Sequence, residues 1–367
     1  MKIQIYSVLV AWVRLWGRTL RQTLTSRFFL TYLVIVGLFG VAVRIMTHQY
    51  GAGFSLTMAA YSQPLGVTTI LSLCCFLFVR LLVILVIERP RRPIGFIYRE
   101  FKDRWFAPQR IVQGLAVMIF IPVFFSFFTS AKNMIPAINP FSWDPFFAEA
   151  ERIIHFGRQP WEWLHPLLGA AIVTSWVSFT YKTWFFSKYM VILWQAFTLS
   201  HPNLRAQFFI TMCLAWIVNG TILAMIFSSA GPCYFDYFYP DLANPYEGLM
   251  NYLRESDKIH RVYDLFAMDY LLNQYHEKKS AFFSGISAFP SMHVSVAFLN
   301  VLLGWRINKV LGVCFTAYLL AIMIGSVHMG WHYAVDGYIS IIITWILWLI
   351  VGRFFPKDKI ESEVKND

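Results

Sequence analysis

The chain has 367 residues, 57% of them hydrophobic and only 14% charged, with a formal net charge of +11, whereas a soluble domain carries about a quarter charged residues. That composition excludes an ordinary soluble enzyme and describes a chain embedded in lipid. Apolar runs of about 18 residues or more, enough to cross a hydrocarbon core about 30 Å thick, recur along it, and they predict eight spans.

The first span covers residues 28–47 after a basic segment of 27 residues; this apolar run is span-length and lacks a small-residue cleavage site, so the amino terminus reads as uncleaved. The second covers 65–87. The loop after it, "ERPRRPIGFIYREFKDRWFAPQR" (88–110), mixes cations with Phe, Tyr and Trp as an interfacial amphipathic stretch does. The third covers 111–130. Residues 130–166 are rich in Pro, Trp and Phe and have two readings, a lid over a site or an aromatic belt at headgroup level, of which the belt is the simpler. The fourth span begins near His165 and runs past Phe185 as one crossing, with Lys182 and Lys188 assigned to the inner side. The remaining spans cover 207–228, 289–305, 310–327 and 336–352.

Of the 31 lysines and arginines, 21 fall in inner segments and 8 in outer ones. The bias predicts that both termini are cytoplasmic and accounts for the net charge through anionic headgroups, without a nucleic-acid partner. Cys74, Cys75, Cys213 and Cys314 fall in spans, which leaves Cys233 alone near the outer surface and no disulfide framework. The expected fold is an all-α polytopic membrane helix bundle of about eight helices around a six-helix core. Residues 1–110 form a basic segment with two accessory helices, 111–352 the core, and 353–367 a cytoplasmic polar tail, "KDKIESEVKND" being its disordered end.

Titratable groups at membrane depth are costly and are functional candidates by default. Two clusters qualify, "FPSMH" (289–293) and "GSVHMGWHYAVDG" (325–337). They bracket the sixth and seventh spans, so a short inner turn returns both to the outer boundary. Pro290 suits a first helical turn, and the helix start beside Ser291 and His293 offers free amides and a positive dipole end to an anion. His332 and Asp336 are spaced i, i+4 and share a helical face. A carboxylate there fixes the tautomer of the imidazole and stabilises its charged form, as a nucleophilic histidine requires. His328, His332 and Asp336, at i, i+4 and i+8, are also an alternative metal face, although Gly330 argues against one continuous helix through them.

"FPSMH" resembles the Pro-Ser-x-His motif of the type 2 phosphatidic acid phosphatase superfamily, and "HYAVDG" resembles the His-x-x-x-Asp end of its last motif. The Phe before Pro-Ser, the Tyr after His332 and the stretch "SSAGPCYFDYFYP" (228–240) resemble the branch that contains inositol phosphorylceramide synthases. The resemblance covers about residues 165–352. It implies that His332 attacks phosphorus to form a phosphohistidine, that Asp336 orients it, that His293 protonates the leaving oxygen, and that Ser291 with nearby amides holds the non-bridging oxygens. It also implies that no metal or other cofactor takes part. Two family cations are missing: Ser326 stands six residues before the nucleophile where many members have Arg, and no Lys-x6-Arg-Pro motif precedes Pro-Ser. The outer loop "RESDKIHRVY" (254–263) supplies Lys258, His260 and Arg261 as candidate replacements, and the loss leans toward a diester or transferase substrate.

The reading expected from all this is a lipid phosphatase or phospho-headgroup transferase acting on a membrane lipid at the outer face of a cell membrane, with the oligomeric state left open. A non-catalytic lipid-binding or transport protein on the same fold is the alternative.

Overall fold

The structure is a computed structural model that describes residues 2–50, 58–277 and 284–356. Most of the polar tail, from Lys357 onward, lies outside the described residues. Among the described residues the regular elements are all helical, as spans surrounded by hydrocarbon require, because a helix satisfies its own backbone.

The helices relevant here are α1 (Lys2–Leu24), α2 (Arg27–Gln49), α3 (Met58–Val83), α4 (Pro93–Glu100), α5 (Pro108–Ile138), α6 (Asp144–Ile154), α7 (Pro160–Leu168), α8 (Ala171–Phe197), α9 (Pro202–Ile226, with a π-helical turn at Val218–Leu223), α10 (Glu247–Ile259), α11 (Tyr263–Glu277), α12 (Met292–Ile307), α13 (Lys309–His328) and α14 (Ala334–Phe354). Their starts carry the expected signals. Pro occupies the first turn of α5, α6, α7 and α9, where its missing N–H costs nothing. Ser26, Ser291 and Asn308 cap α2, α12 and α13 by accepting a backbone N–H three residues on.

Six of these helices are long and apolar enough to cross a membrane: α2, the stretch Gly66–Glu88 that continues α3, α5, α9, α13 and α14. The other two predicted spans take a different form. Residues 171–197 are one helix, α8, which carries Lys182 and Lys188 along its length, and α12 has 16 residues, about 24 Å at 1.5 Å per residue. Length and composition therefore mark six candidate crossings and do not by themselves show the expected eight.

α12 and α13 form an antiparallel hairpin that packs against α8, α9 and α14, while α5 packs against α8 and carries α1, α2 and α3. The core between them is aromatic, with Phe124, Phe125, Trp184 and Trp216 buried against Val294 and Leu299. Close van der Waals packing of this kind is what holds helices together where lipid competes for apolar surface. The π-helical turn of α9 brings Asn219 inward to donate to Ser295 Oγ at 2.9 Å and Thr344 Oγ1 at 3.3 Å.

The carboxy-terminal ends of α5 and α9 meet the starts of α12 and α14 at one end of the bundle. Asn139 Nδ2 donates to the Met225 carbonyl, and Ala288 N to the Ser229 carbonyl. The helices α6, α7, α10 and α11 cover that end.

Candidate active site

α12 begins at Met292, so Pro290 precedes the cap rather than occupying the first turn. Ser291 is buried, its Oγ accepts from Val294 N at 3.3 Å, and its own N–H donates to the Asp336 carbonyl at 3.4 Å. The chain leaves α13 after His328, turns at Gly330 (φ +72°), and enters α14 at Ala334. Both Trp331 N and His332 N donate back to the Ser326 carbonyl, at 2.9 and 3.2 Å. This turn breaks the proposed metal face. His328 bonds Thr174 Oγ1 through Nε2 at 3.0 Å, away from His332, and among the described residues no three His, Cys, Asp or Glu side chains group as metal ligands.

The turn sets His332 Nδ1 3.3 Å from Asp336 Oδ2, which also accepts from Tyr333 N at 3.1 Å. Asp336 is fully buried and His332 is 7% exposed. Burial pushes the His332 imidazole down to about 3, against a smaller upward pull from the Ala288 backbone, so the ring is neutral near pH 7. The ring of His293 stands 5.7 Å from that of His332, centroid to centroid. It is held between Tyr181, stacked at 4.8 Å, and Trp184 at 4.2 Å, while Trp184 Nε1 donates to the His293 carbonyl. One tetrahedral phosphate group can touch both imidazoles.

Both histidines line a cavity of about 430 Å³ that also takes in Pro290, Met292, Trp331 and three lysines, Lys132, Lys182 and Lys188. The other candidates lie elsewhere. Lys258 pairs with Glu255 at 2.6 Å and Arg261 with Asp257 at 3.4 Å on the exposed side of α10, and neither lines this cavity. Ser326 donates to the Met323 carbonyl and faces a separate apolar cavity of about 450 Å³ beside His155 and Tyr338. The lysines were missed because Lys182 and Lys188 were assigned to the inner loop and Lys132 to the outer one. For Lys188 the readable signal was helical spacing: Tyr181, Trp184, Phe185 and Lys188 fall at i, i+3, i+4 and i+7 on α8 and share one face.

The aromatic segment 130–166 packs against the turn that holds His332. α6 presents two buried carboxylates to the turn that holds His332. Asp144 accepts from Ser229 Oγ, Ala230 N, Gly231 N, Tyr239 OH and Tyr333 OH, all between 2.7 and 3.1 Å. Glu151 accepts from Tyr246 OH at 2.7 Å and Ala334 N at 2.6 Å, and burial pushes its carboxyl up to about 8. Gly231 is needed where these strands of chain meet: it has φ +103°, and a Cβ there would sit 2.7 Å from the Trp331 carbonyl. Phe147 stacks on Phe289 at 4.4 Å. These contacts tie the segments before His293 and after His332 to α6.

The fold and the site together define a helical membrane protein with two histidines and a cluster of lysines around one cavity. Residues 146–350, more than half of the chain, match the PAP2 superfamily. The chain belongs to that superfamily, whose members are generally phosphatases or phosphotransferases. The match starts within α6 and runs to the end of α14, leaving α1 to α5 outside it. Searches of curated proteins and of solved structures each return no match.

Proposed function

We propose that the protein is an integral membrane phosphoesterase or phosphotransferase that acts on a lipid phosphate or phospholipid through a phosphohistidine. The observation that carries this reading is the 5.7 Å approach of His293 and His332 inside one cationic cavity, with Asp336 behind Nδ1 of His332. The neutral His332 ring offers the Nε2 lone pair to phosphorus, and the bond to the leaving oxygen breaks as N–P forms. His293 gives its proton to that oxygen. The anion bound beside it favours its protonated form against burial and the neighbouring lysines. Asp336 stabilises the imidazolium character that develops on His332. Water or a lipid hydroxyl then attacks the phosphohistidine, giving its proton to His293, and the N–P bond breaks. The amides that open α12 face the charge on the non-bridging oxygens.

The resemblance to the inositol phosphorylceramide synthase branch supports transfer to a lipid hydroxyl as one outcome and hydrolysis as the other. The excess of basic residues on the opposite end supports cytoplasmic termini and an outer-face site. Moving Lys182 and Lys188 from the inner loop into α8 lowers the inner count from 21 to 19, still well above the 8 outer cations. Purified chain presented with lipid phosphates and phospholipids is expected to release phosphate or headgroup, and His332→Ala is expected to abolish turnover with the fold retained. Unchanged turnover in that variant refutes the reading in favour of a scaffold on the same fold.

A further inference from the structure

The superfamily cations absent from this sequence leave a charge problem, because two neutral imidazoles and a helix end must hold an anionic phosphate. The cavity answers it from an unexpected direction. Lys132 comes from α5, outside the matched family region, and Lys182 and Lys188 come from α8; all three line the same space as His293 and His332, and no Asp or Glu lines it among the described residues.

The three are not equivalent. Lys182 Nζ meets Asp264 Oδ1 at 2.7 Å, and the fully buried Asp264 is further fixed by Ser178 Oγ and Trp331 Nε1. Lys188 is 3% exposed and has no carboxylate partner among the described residues. It sits among the rings of Phe125, Trp184, Phe185, Tyr189 and Trp216, with Nζ 4.4 to 5.6 Å from their centroids. Lys132 makes no ion pair with any described residue either. Cation–π contacts compensate a buried ammonium only in part, and a buried charge without its counter-ion is costly. A methionine of similar length would fill the Lys188 cage without that cost. The lining therefore holds two uncompensated cations close to the reacting histidines and facing a space large enough for a ligand headgroup.

We infer that Lys132, Lys182 and Lys188 form the anion cradle of this site, and that its two uncompensated charges select a phosphate group carrying two negative charges, a phosphomonoester or a terminal pyrophosphate, over a singly charged diester. The inference rests on the phosphoryl-transfer reading of the same cavity, and it reverses the leaning toward a diester that the missing outer cations suggested. Lys182, set by Asp264, orients the group. Lys132 and Lys188 supply the charge that the ligand completes. Lys258 and Arg261, exposed and already paired with Glu255 and Asp257, take no part.

The test separates binding from turnover. In the full-length His332→Ala chain in nanodiscs, which turns over no substrate on the proposed reading, quenching of the cavity tryptophans reports binding of short-chain phosphatidic acid and of phosphatidylglycerol with the same chains. Phosphatidic acid is expected to bind about tenfold more tightly. Lys132→Met and Lys188→Met are each expected to weaken it about tenfold while changing phosphatidylglycerol by about twofold or less, as loss of one charge-assisted contact implies. Lys188→Arg should restore part of the loss, Arg261→Met should change nothing, and Lys188→Met should melt no lower than its parent. Equal affinity for the two lipids, or unchanged phosphatidic acid binding in both methionine variants, overturns the inference. Absence of turnover in the wild-type chain with the binding pattern intact would instead refute the catalytic reading alone.

Discussion

The amino-terminal helices and the site-bearing half of the bundle are both built from apolar sequence, yet they use it in opposite ways. The stretch Gly66–Glu88 has a mean hydropathy of 3.0 and only 6% of it is buried within the protein, whereas Pro202–Ile226 has a lower value, 2.0, and is 61% buried. In water the most apolar helix would be expected at the centre. In lipid, an apolar face gains nothing by leaving the bilayer for a protein interior, so the helices that pack are those carrying groups that need a protein partner. α9 brings Asn219 to Ser295 and Thr344, and Gln207 to the Trp348 carbonyl. α3 has its one ion-pair cluster near its end, where Arg80 meets Glu88 and Glu100.

The contrast can be broken at several points. The largest effect is expected from His293→Ala, which removes the proposed proton donor and should lower turnover by about 10²–10⁴ while the purified chain elutes and melts like its parent. Ile121→Ala, at a position 1% exposed in α5, should cost about 2 kcal/mol or more in a reversible unfolding measurement. Leu71→Ala, on a side chain 53% exposed in α3, should fall within about 0.5 kcal/mol. Equal losses at the two positions would remove the distinction between the halves.

Asp144→Asn tests whether α6 belongs to the site. Five donors converge on that carboxylate, so weakening it should loosen the His332 turn and lower kcat by about 10–100-fold, as loss of outer-shell support does elsewhere, with KM little changed. A smaller effect is expected from Glu151. Its folded-state carboxyl titrates near 8, above the ordinary glutamate range, so the fold favours the protonated form. The stability this contributes is full at acid pH and is lost as pH rises toward about 8. Thermal melts of Glu151→Gln across pH 5 to 9 should therefore lose part of the wild-type downward slope; an unchanged slope would assign it to other groups.

The histidine pair was legible because its motifs mark helix ends. Pro-Ser before His293 places a cap, and Gly330 before His332 stops a helix, so spacing alone returned both to one end of a hairpin. The lysines were illegible for a physical reason. Lysine is read as a marker of the cytoplasmic side, and that rule has no place for an ammonium held halfway down α8 by rings and a cavity. Asp144 and Glu151 were hidden likewise, since acids in an outer segment read as solvated until Tyr333, Tyr246 and two stretches of backbone are seen to donate to them. The count of eight spans is not shown, because α8 carries two lysines and α12 has only 16 residues, so length and apolarity single out the other six.

The most direct measurement is to trap the covalent intermediate. Purified chain mixed with a lipid phosphate labelled on phosphorus and quenched in alkali should carry an acid-labile, alkali-stable label on the peptide that contains His332, absent from His332→Ala and slower to appear in His293→Ala. Label on any other residue, or turnover by an enzyme that never becomes labelled, would contradict attack by His332.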